Sequence, residues 1–297
     1  MTCPFLKEAQ VKYCRTSSIR KLIPLAQSAR AEERCSSEHY SECPVYRQQP
    51  DAGNLAAFGT CPLLHESLMQ YCGAAPVAKF VPYSESLLSR CGSESHRYCE
   101  LYLQMSHPLP PPKTIDGIPM PGEFGYSANH WWIDTTSDGA CYVGIDAFLS
   151  RVLGKVERIG FVWQTGHHRP AAVVTSAGVD LEITLPFAME LTACNVYLRA
   201  NPERLTAEPY TRGWLFAGIP DAGAADGVLR GEQAQHWMDG EVRGIHEFLQ
   251  QLPSPAGPTA ADGGMFTAGL AQFIEREPMF ALFQQLFSPW REQEVRP

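Results

Sequence analysis

The sequence predicts an α+β multidomain protein: two small four-cysteine modules in tandem, a β-rich domain of flattened-barrel or sandwich type, and a helical tail. Three observations predict it. A cysteine-bracketed dodecapeptide is written twice, "CPFLKEAQVKYC" from Cys3 and "CPLLHESLMQYC" from Cys61, with six of twelve positions identical. A middle stretch alternates short apolar runs with Gly and Asp-Gly turns. After it, apolar residues recur at steps of three and four. The expected parts are residues 1–50 and 59–105 (the two modules), 106–125 (a linker), 126–220 (the β-rich domain) and 228–297 (the tail).

The modules come first. The repetition continues past the dodecapeptide, because Lys21-Leu22-Ile23-Pro24 matches Lys79-Phe80-Val81-Pro82 at the same offset of 58 residues. "ERCSSEHYSECPVY" then matches "SRCGSESHRYCELY". Each copy therefore carries four cysteines at nearly one spacing: Cys3, Cys14, Cys35 and Cys43, then Cys61, Cys72, Cys91 and Cys99. Eight of the ten cysteines fall in the first 99 residues. The amino terminus lacks a basic stretch followed by a long apolar one, which argues against a signal peptide and for a cytoplasmic chain with reduced thiols. In that setting four cysteines per module point to a metal or a cluster.

A continuous helix would hold Cys3 and Cys14 roughly 16 Å apart, too far for one ion. A hairpin returning at "KEAQ" would bring the two ends to within about 5 Å, so a hairpin is expected in each copy. Neither "KEAQ" nor "HESL" contains Gly or Asn, the usual turn residues. A short strand at "RKLIP" and "AKFVP" follows, then a short helix with the last two cysteines. Four thiolates suit either a 4Fe-4S cluster or Zn²⁺. Close Cys-x2-Cys pairs of zinc-knuckle type are missing. Tyr13, Tyr40, Tyr46, Tyr71, Tyr98 and Tyr102 offer an apolar shell. Two iron–sulfur clusters are the leading expectation, two zinc ions the alternative, and buried free thiols or disulfides the plainer reading. Retention of all four spacings in both copies weighs against the last.

Residues 48–60, 106–126 and 253–265 are rich in Gly, Pro or Ala and read as loops or linkers. In the β-rich part, "HWWIDTTSDGACYVGI" reads as strand, Asp138-Gly139 turn, strand. "DAFLSRVLGKV" is a short helix with Phe148, Leu149, Val152 and Leu153 near one face, stopped by Gly154. "RIGFVWQTG", "RPAAVVTSAG" and "DLEITLPF" continue as strands.

Four segments, "YSANHWWI", "DGACYVGIDAFLSRVLGKV", "AAVVTS" and above all "NPERLTAEPYTRGWLFAGI", resemble the H-protein of the glycine cleavage system, a lipoyl-carrier fold. The resemblance covers about a third of the chain. It implies a barrel-sandwich domain and, in that family, a lysine at a hairpin tip that carries lipoate. Aligning Val173-Val174-Thr175-Ser176 with the incoming strand and Pro186 with the proline that follows puts Gly178 at the lysine position. Thr175 stands where the family has glutamate. No lysine occurs after Lys155. Lipoate attaches through a primary amine, so no lipoate is expected, and a working lipoyl carrier is the least favoured of three readings.

In the tail, Trp237, Glu241, Ile245, Phe248 and Leu252 share a helical stripe with Leu229 in the first turns. Phe266, Leu270, Phe273, Phe280, Phe283, Leu286 and Phe287 form a second stripe, interrupted at Pro278. Core packing is the expectation for it, with a partner groove as the alternative. His167-His168 reads as an exposed turn, His130 as structural, and Cys141 and Cys194 as core thiols. No nucleophile-and-base constellation is found, so no enzyme activity is expected. The net charge of -8 argues against nucleic acid, and no apolar run is long enough to span a membrane. The combined expectation is a non-catalytic electron-transfer or redox-sensing protein with two clusters side by side. The alternative is a zinc-stabilised adaptor for a lipoate-handling or one-carbon enzyme. The expected partner is a protein: a redox partner or that enzyme.

Overall fold

The computed structural model describes residues 1–16, 23–24, 34–49, 59–77, 79–81, 90–106, 112–137, 139–162, 167–224, 226–251 and 268–287. Asp138, Leu252, Phe266, most of residues 48–60 and all of 253–265 lie outside the described residues. The expected linker at 106–125 is instead structured from residue 112 onward: Thr114–Ile115 and Ile118–Pro119 are strands, and Ile118, Met120 and Phe124 are buried, because these apolar side chains between the prolines have a core to enter. The chain forms two compact units, Met1–Met105 and Ser106–Pro297.

In the first unit, β1 (Leu6–Cys14) and β3 (Leu64–Cys72) are full nine-residue strands, flanked by the short β2 (Ile23–Pro24) and β4 (Lys79–Val81) in the order β2-β1-β3-β4. The two copies thus share one sheet. No hairpin forms inside either dodecapeptide: β1 and β3 run straight and pair antiparallel with each other, from Leu6↔Cys72 to Cys14↔Leu64. The physical reason is the missing turn chemistry, because "KEAQ" and "HESL" stay extended when no residue favours a reversal. The expected short helices are present. A 3-10 turn at Arg34–Ser36, another at Glu38–Glu42 and α1 (Pro44–Arg47) carry Cys35 and Cys43. Arg90–Gly92, Glu94–Tyr98 and α2 (Glu100–Met105) repeat the arrangement around Cys91 and Cys99.

The second unit is β-rich. A small ribbon pairs β5 (Thr114–Ile115) with β6 (Ile118–Pro119). One larger sheet comprises β7 (Gly125–Tyr126), β8 (Trp131–Thr135), β9 (Cys141–Ile145), β11 (His167–His168), β14 (Met189–Cys194) and β15 (Phe216–Pro220), ordered β11-β14-β15-β9-β8-β7. The second sheet comprises β10 (Val156–Val162), β12 (Ala171–Ser176) and β13 (Val179–Thr184), ordered β10-β12-β13. Strand β9 is buried along its whole length, and β13 alternates buried and exposed residues as a half-covered strand should. Helix α3 (Ala147–Leu153) follows β9, capped by the Asp146 carboxylate on the Leu149 N–H at 2.9 Å and closed by Gly154 at φ 63°. α4 (Arg204–Ala207) leads to the Pro209-Tyr210 corner, which latches the sheet. The Trp132 indole donates to the Pro209 carbonyl at 3.0 Å, and the Tyr210 hydroxyl donates to that of Pro119 at 2.7 Å. His167-His168 is a short strand pairing with Glu190 and Met189, not a turn.

The tail packs as core. α5 (Gly231–Gln251) buries Ala234, Met238, Val242 and Ile245; Ile245 lies on the expected stripe, while Trp237, Glu241 and Phe248 are half-buried at its margin. α6 (Arg276–Phe287) buries Met279, Leu282, Phe283 and Leu286 but leaves Phe280 about half exposed, like Phe273 before it. Pro278 does not break this helix. It sits in the first turn, where its missing N–H has no intrahelical partner to lose. Gly269 abuts Gly154, and its N–H donates to the Arg151 carbonyl at 2.8 Å. No helix among the described residues is long and apolar enough to cross a membrane.

Candidate metal centres

Strand β1 places Cys3 just before one end and Cys14 at the other, so about 26 Å of extended backbone lies between Leu6 and Cys14. These two thiols cannot meet, and neither can Cys61 and Cys72. What meets is set by the register. Cys14 lies opposite Leu64, and the next residue, Arg15, donates its N–H to the Leu63 carbonyl at 3.1 Å. Cys14 therefore ends beside the "CPLL" turn that begins the other copy. Symmetrically, Cys72 lies opposite Leu6, and Gly73 donates to the Phe5 carbonyl at 2.8 Å, beside "CPFL".

The helical segments complete each end. The Cys61 N–H donates to the Cys35 carbonyl at 2.9 Å, and Cys61 packs with Tyr40, Tyr46, Cys35, Cys43, Leu63 and Leu64. The Cys3 N–H donates to the Cys91 carbonyl at 2.8 Å. Near Cys91 and Cys99, the Tyr102 ring meets His96 edge-on at 4.8 Å and Phe5 at 6.0 Å. Of the expected shell tyrosines, Tyr40, Tyr46 and Tyr98 are buried, and Tyr40 and Tyr46 meet edge to face at 5.1 Å.

Electrostatics give the same neighbours. Burial pushes the Cys61 thiol up, the Leu63 N–H pulls it down, and thiolates at Cys14 and Cys43 push it up again, with the Leu64 N–H opposing. Burial raises Cys3, the Phe5 N–H lowers it, Cys99 and Cys72 raise it, and the Leu6 N–H lowers it. Cys91 is raised by burial, then by Cys3, Cys99 and Cys72. The repeated Cys-Pro-x-Leu explains the N–H contacts. Proline lacks an N–H and restrains its own φ, and the two following amides turn back on the sulfur. Backbone N–H groups aimed at sulfur stabilise thiolate, the ligand form. As the side chains stand, no group of three or more His, Cys, Asp or Glu among the described residues is arranged to hold a metal ion. In the second unit Cys141 is buried and Cys194 half-buried, and burial raises them to about 12 and about 11.

The hairpin expected to carry lipoate in a carrier is present. Ser176 pairs with Val179, and Ala177 and Gly178 turn at φ 49° and 72°. Space beyond Gly178 is open, but no amine stands there. The tip is braced instead: the Thr175 hydroxyl donates to the Asp180 carboxylate at 2.6 Å, and Arg158 reaches the same carboxylate at 3.3 Å. The Lys155 carbonyl accepts from the Ser176 hydroxyl at 3.2 Å, so this lysine sits at the base of the hairpin rather than its tip.

Sequence reasoning missed the partners of His130. Its Nδ1 lies 2.8 Å from the Asp146 carboxylate, its Nε2 lies 3.6 Å from Glu241 on α5, and its ring stacks on Phe148. The stripe placing Glu241 among apolar residues was the available signal.

The family profile for the glycine cleavage H-protein matches residues 124–239. The H protein of Aeromonas hydrophila is 31% identical over 126 residues, which cover 41% of this chain and 98% of that one. The H protein of Sodalis glossinidius is 33% identical over 102 residues, 33% of this chain and 76% of the relative. A crystal structure of the H protein from Mycobacterium marinum is 22% identical with a TM-score of 0.33, covering 41% of this chain and 98% of that one. The profile match begins at residue 124, beyond the first unit. Through residues 124–239, the chain belongs to the glycine cleavage H-protein family, a family of non-catalytic carriers.

Proposed function

We propose that residues 1–105 bind two iron–sulfur clusters, one at each end of the β1–β3 ribbon, and that the chain is a non-catalytic redox protein whose H-protein domain, with no lysine at its hairpin tip, is its docking part. The observation that carries the reading is the gathering of thiols at both ribbon ends with backbone N–H groups turned onto Cys3 and Cys61. A bound cluster supplies one-electron exchange. The tyrosines and leucines around the thiols keep water off, and the N–H groups offset negative charge on sulfur. Four thiolates on one zinc would bring the sulfurs to about 3.8 Å from one another, converging on a single point. A cubane spaces its four thiolates more widely than that, and metal content separates the two readings.

The ribbon corrects one expectation. The clusters would not lie side by side, since the strand ends are about 26 Å apart, so each would exchange electrons independently rather than relay them to the other. The H-protein domain would present its surface to a redox partner or a lipoate-handling enzyme without carrying a group itself. Anaerobically purified protein is expected to be brown, with about eight irons per chain, four for each cubane. A colourless protein with two zinc ions would transfer the chain to the adaptor reading, and one with no metal would end both.

A further inference from the structure

The ribbon pairing has an internal two-fold character. Gln10 pairs with Leu68, and both are the eighth residue of their dodecapeptide. Leu6↔Cys72 and Cys14↔Leu64 are then the same pair seen from the two copies. The contacts beyond the strands obey the same exchange. Arg15 to Leu63 mirrors Gly73 to Phe5, and Cys61 to Cys35 mirrors Cys3 to Cys91. Exchanging the copies maps the whole arrangement onto itself.

We infer that each inorganic centre is shared between the copies. One ligand set is Cys14, Cys35 and Cys43 from the first with Cys61 from the second; the other is Cys72, Cys91 and Cys99 from the second with Cys3 from the first. The inference rests on the reading that these thiols hold inorganic centres, and it deepens that reading by assigning the ligands. Extended strands make the exchange necessary. A cysteine at the start of a straight nine-residue strand is out of reach of the one at its end, while antiparallel pairing brings the start of one strand beside the end of the other. Each centre then staples the two copies together, so a single copy supplies no complete set. The duplication is in this sense functional: the first unit is a fused pseudo-dimer whose sites lie between its two copies.

The test uses double variants of the full chain, purified anaerobically, with metal per chain as the readout. Cys14→Ser with Cys61→Ser removes two ligands of one shared set and should leave half the wild-type metal. Cys3→Ser with Cys14→Ser removes one ligand from each set and should abolish both centres. Cys35→Ser with Cys43→Ser strikes one set under either assignment; its retained half shows that a chain with one centre still folds. The reverse pattern, with half the metal kept by the Cys3 and Cys14 variant and none by the Cys14 and Cys61 variant, would assign the sets within copies. That overturns this inference and leaves the metal reading intact. Metal-free wild type would overturn both.

Discussion

Removal of the metal proposed for the first unit is expected to unfold residues 1–105 while leaving the H-protein domain folded. The reason is the thin core of the first unit. Among the described residues its buried apolar side chains are Cys3, Val11, Tyr40, Tyr46, Cys61 and Tyr98, and two of these six are thiols. Strand β3 buries no residue, and β1 buries Val11 alone. The sheet has only two long strands, its edges β2 and β4 are two and three residues long, and a unit of this size with so little apolar burial needs a staple. Ligation by structural zinc in small peptides supplies about 10–16 kcal/mol, a scale comparable with the whole stability of an ordinary domain. Hydrogen exchange read by mass spectrometry, with and without chelator, would check this. The β1 and β3 amides should exchange freely once metal is gone, while β8, β9 and β12 stay protected. Unchanged protection of β1 and β3 would mean that the first unit stands without a metal.

The second large effect is expected at His130, a residue with no place in a carrier site. Its ring is fully buried between Phe148, 4.6 Å away, and Trp237, 5.0 Å away. Its backbone adopts φ 63°, which a non-glycine residue holds only when surroundings fix it. Its carbonyl accepts the Asp146 N–H at 2.9 Å, so both ends of the side chain and the main chain are tied to the start of α3 and to α5. Burial alone would lower its pKa, but the charge and hydrogen bond of Asp146, with Glu241 behind them, raise it to about 9. His130→Ala leaves the Asp146 carboxylate buried without its partner and is expected to cost about 3–5 kcal/mol.

The pH dependence has a definite sign. A histidine raised from 6.5 to about 9 contributes stability that is complete below its unfolded value and fades as pH climbs to the folded one. That contribution is about 3 kcal/mol at 1.36 kcal/mol per unit, lost between about pH 6.5 and 9. All six tryptophans lie beyond residue 105, so tryptophan fluorescence in urea reports the second unit by itself. Wild type should weaken across this window, and His130→Ala should start weaker and lack the slope. A flat wild-type profile would show His130 to be neutral.

Local chemistry by itself determined much of this protein. The doubled dodecapeptide, the run of strand and turn signals, the stripes of the tail and the closing segment Asn201–Ile219 are short-range patterns, and each was legible without coordinates. So was the loss of the carrier group, because the absence of lysine after Lys155 needs no geometry. Which cysteine stands beside which was another matter. A period-two strand fixes the faces of its own side chains but says nothing about the strand it will pair with. "KEAQ" carried half of the answer, since four residues with no turn former favour a straight strand over a hairpin. The other half, Cys14 opposite Leu64 and Cys72 opposite Leu6, exists only once two segments 58 residues apart are laid side by side. His130 follows the same rule: Asp146 and Glu241 are 16 and 111 residues away along the chain, and only folding brings their charge to its ring.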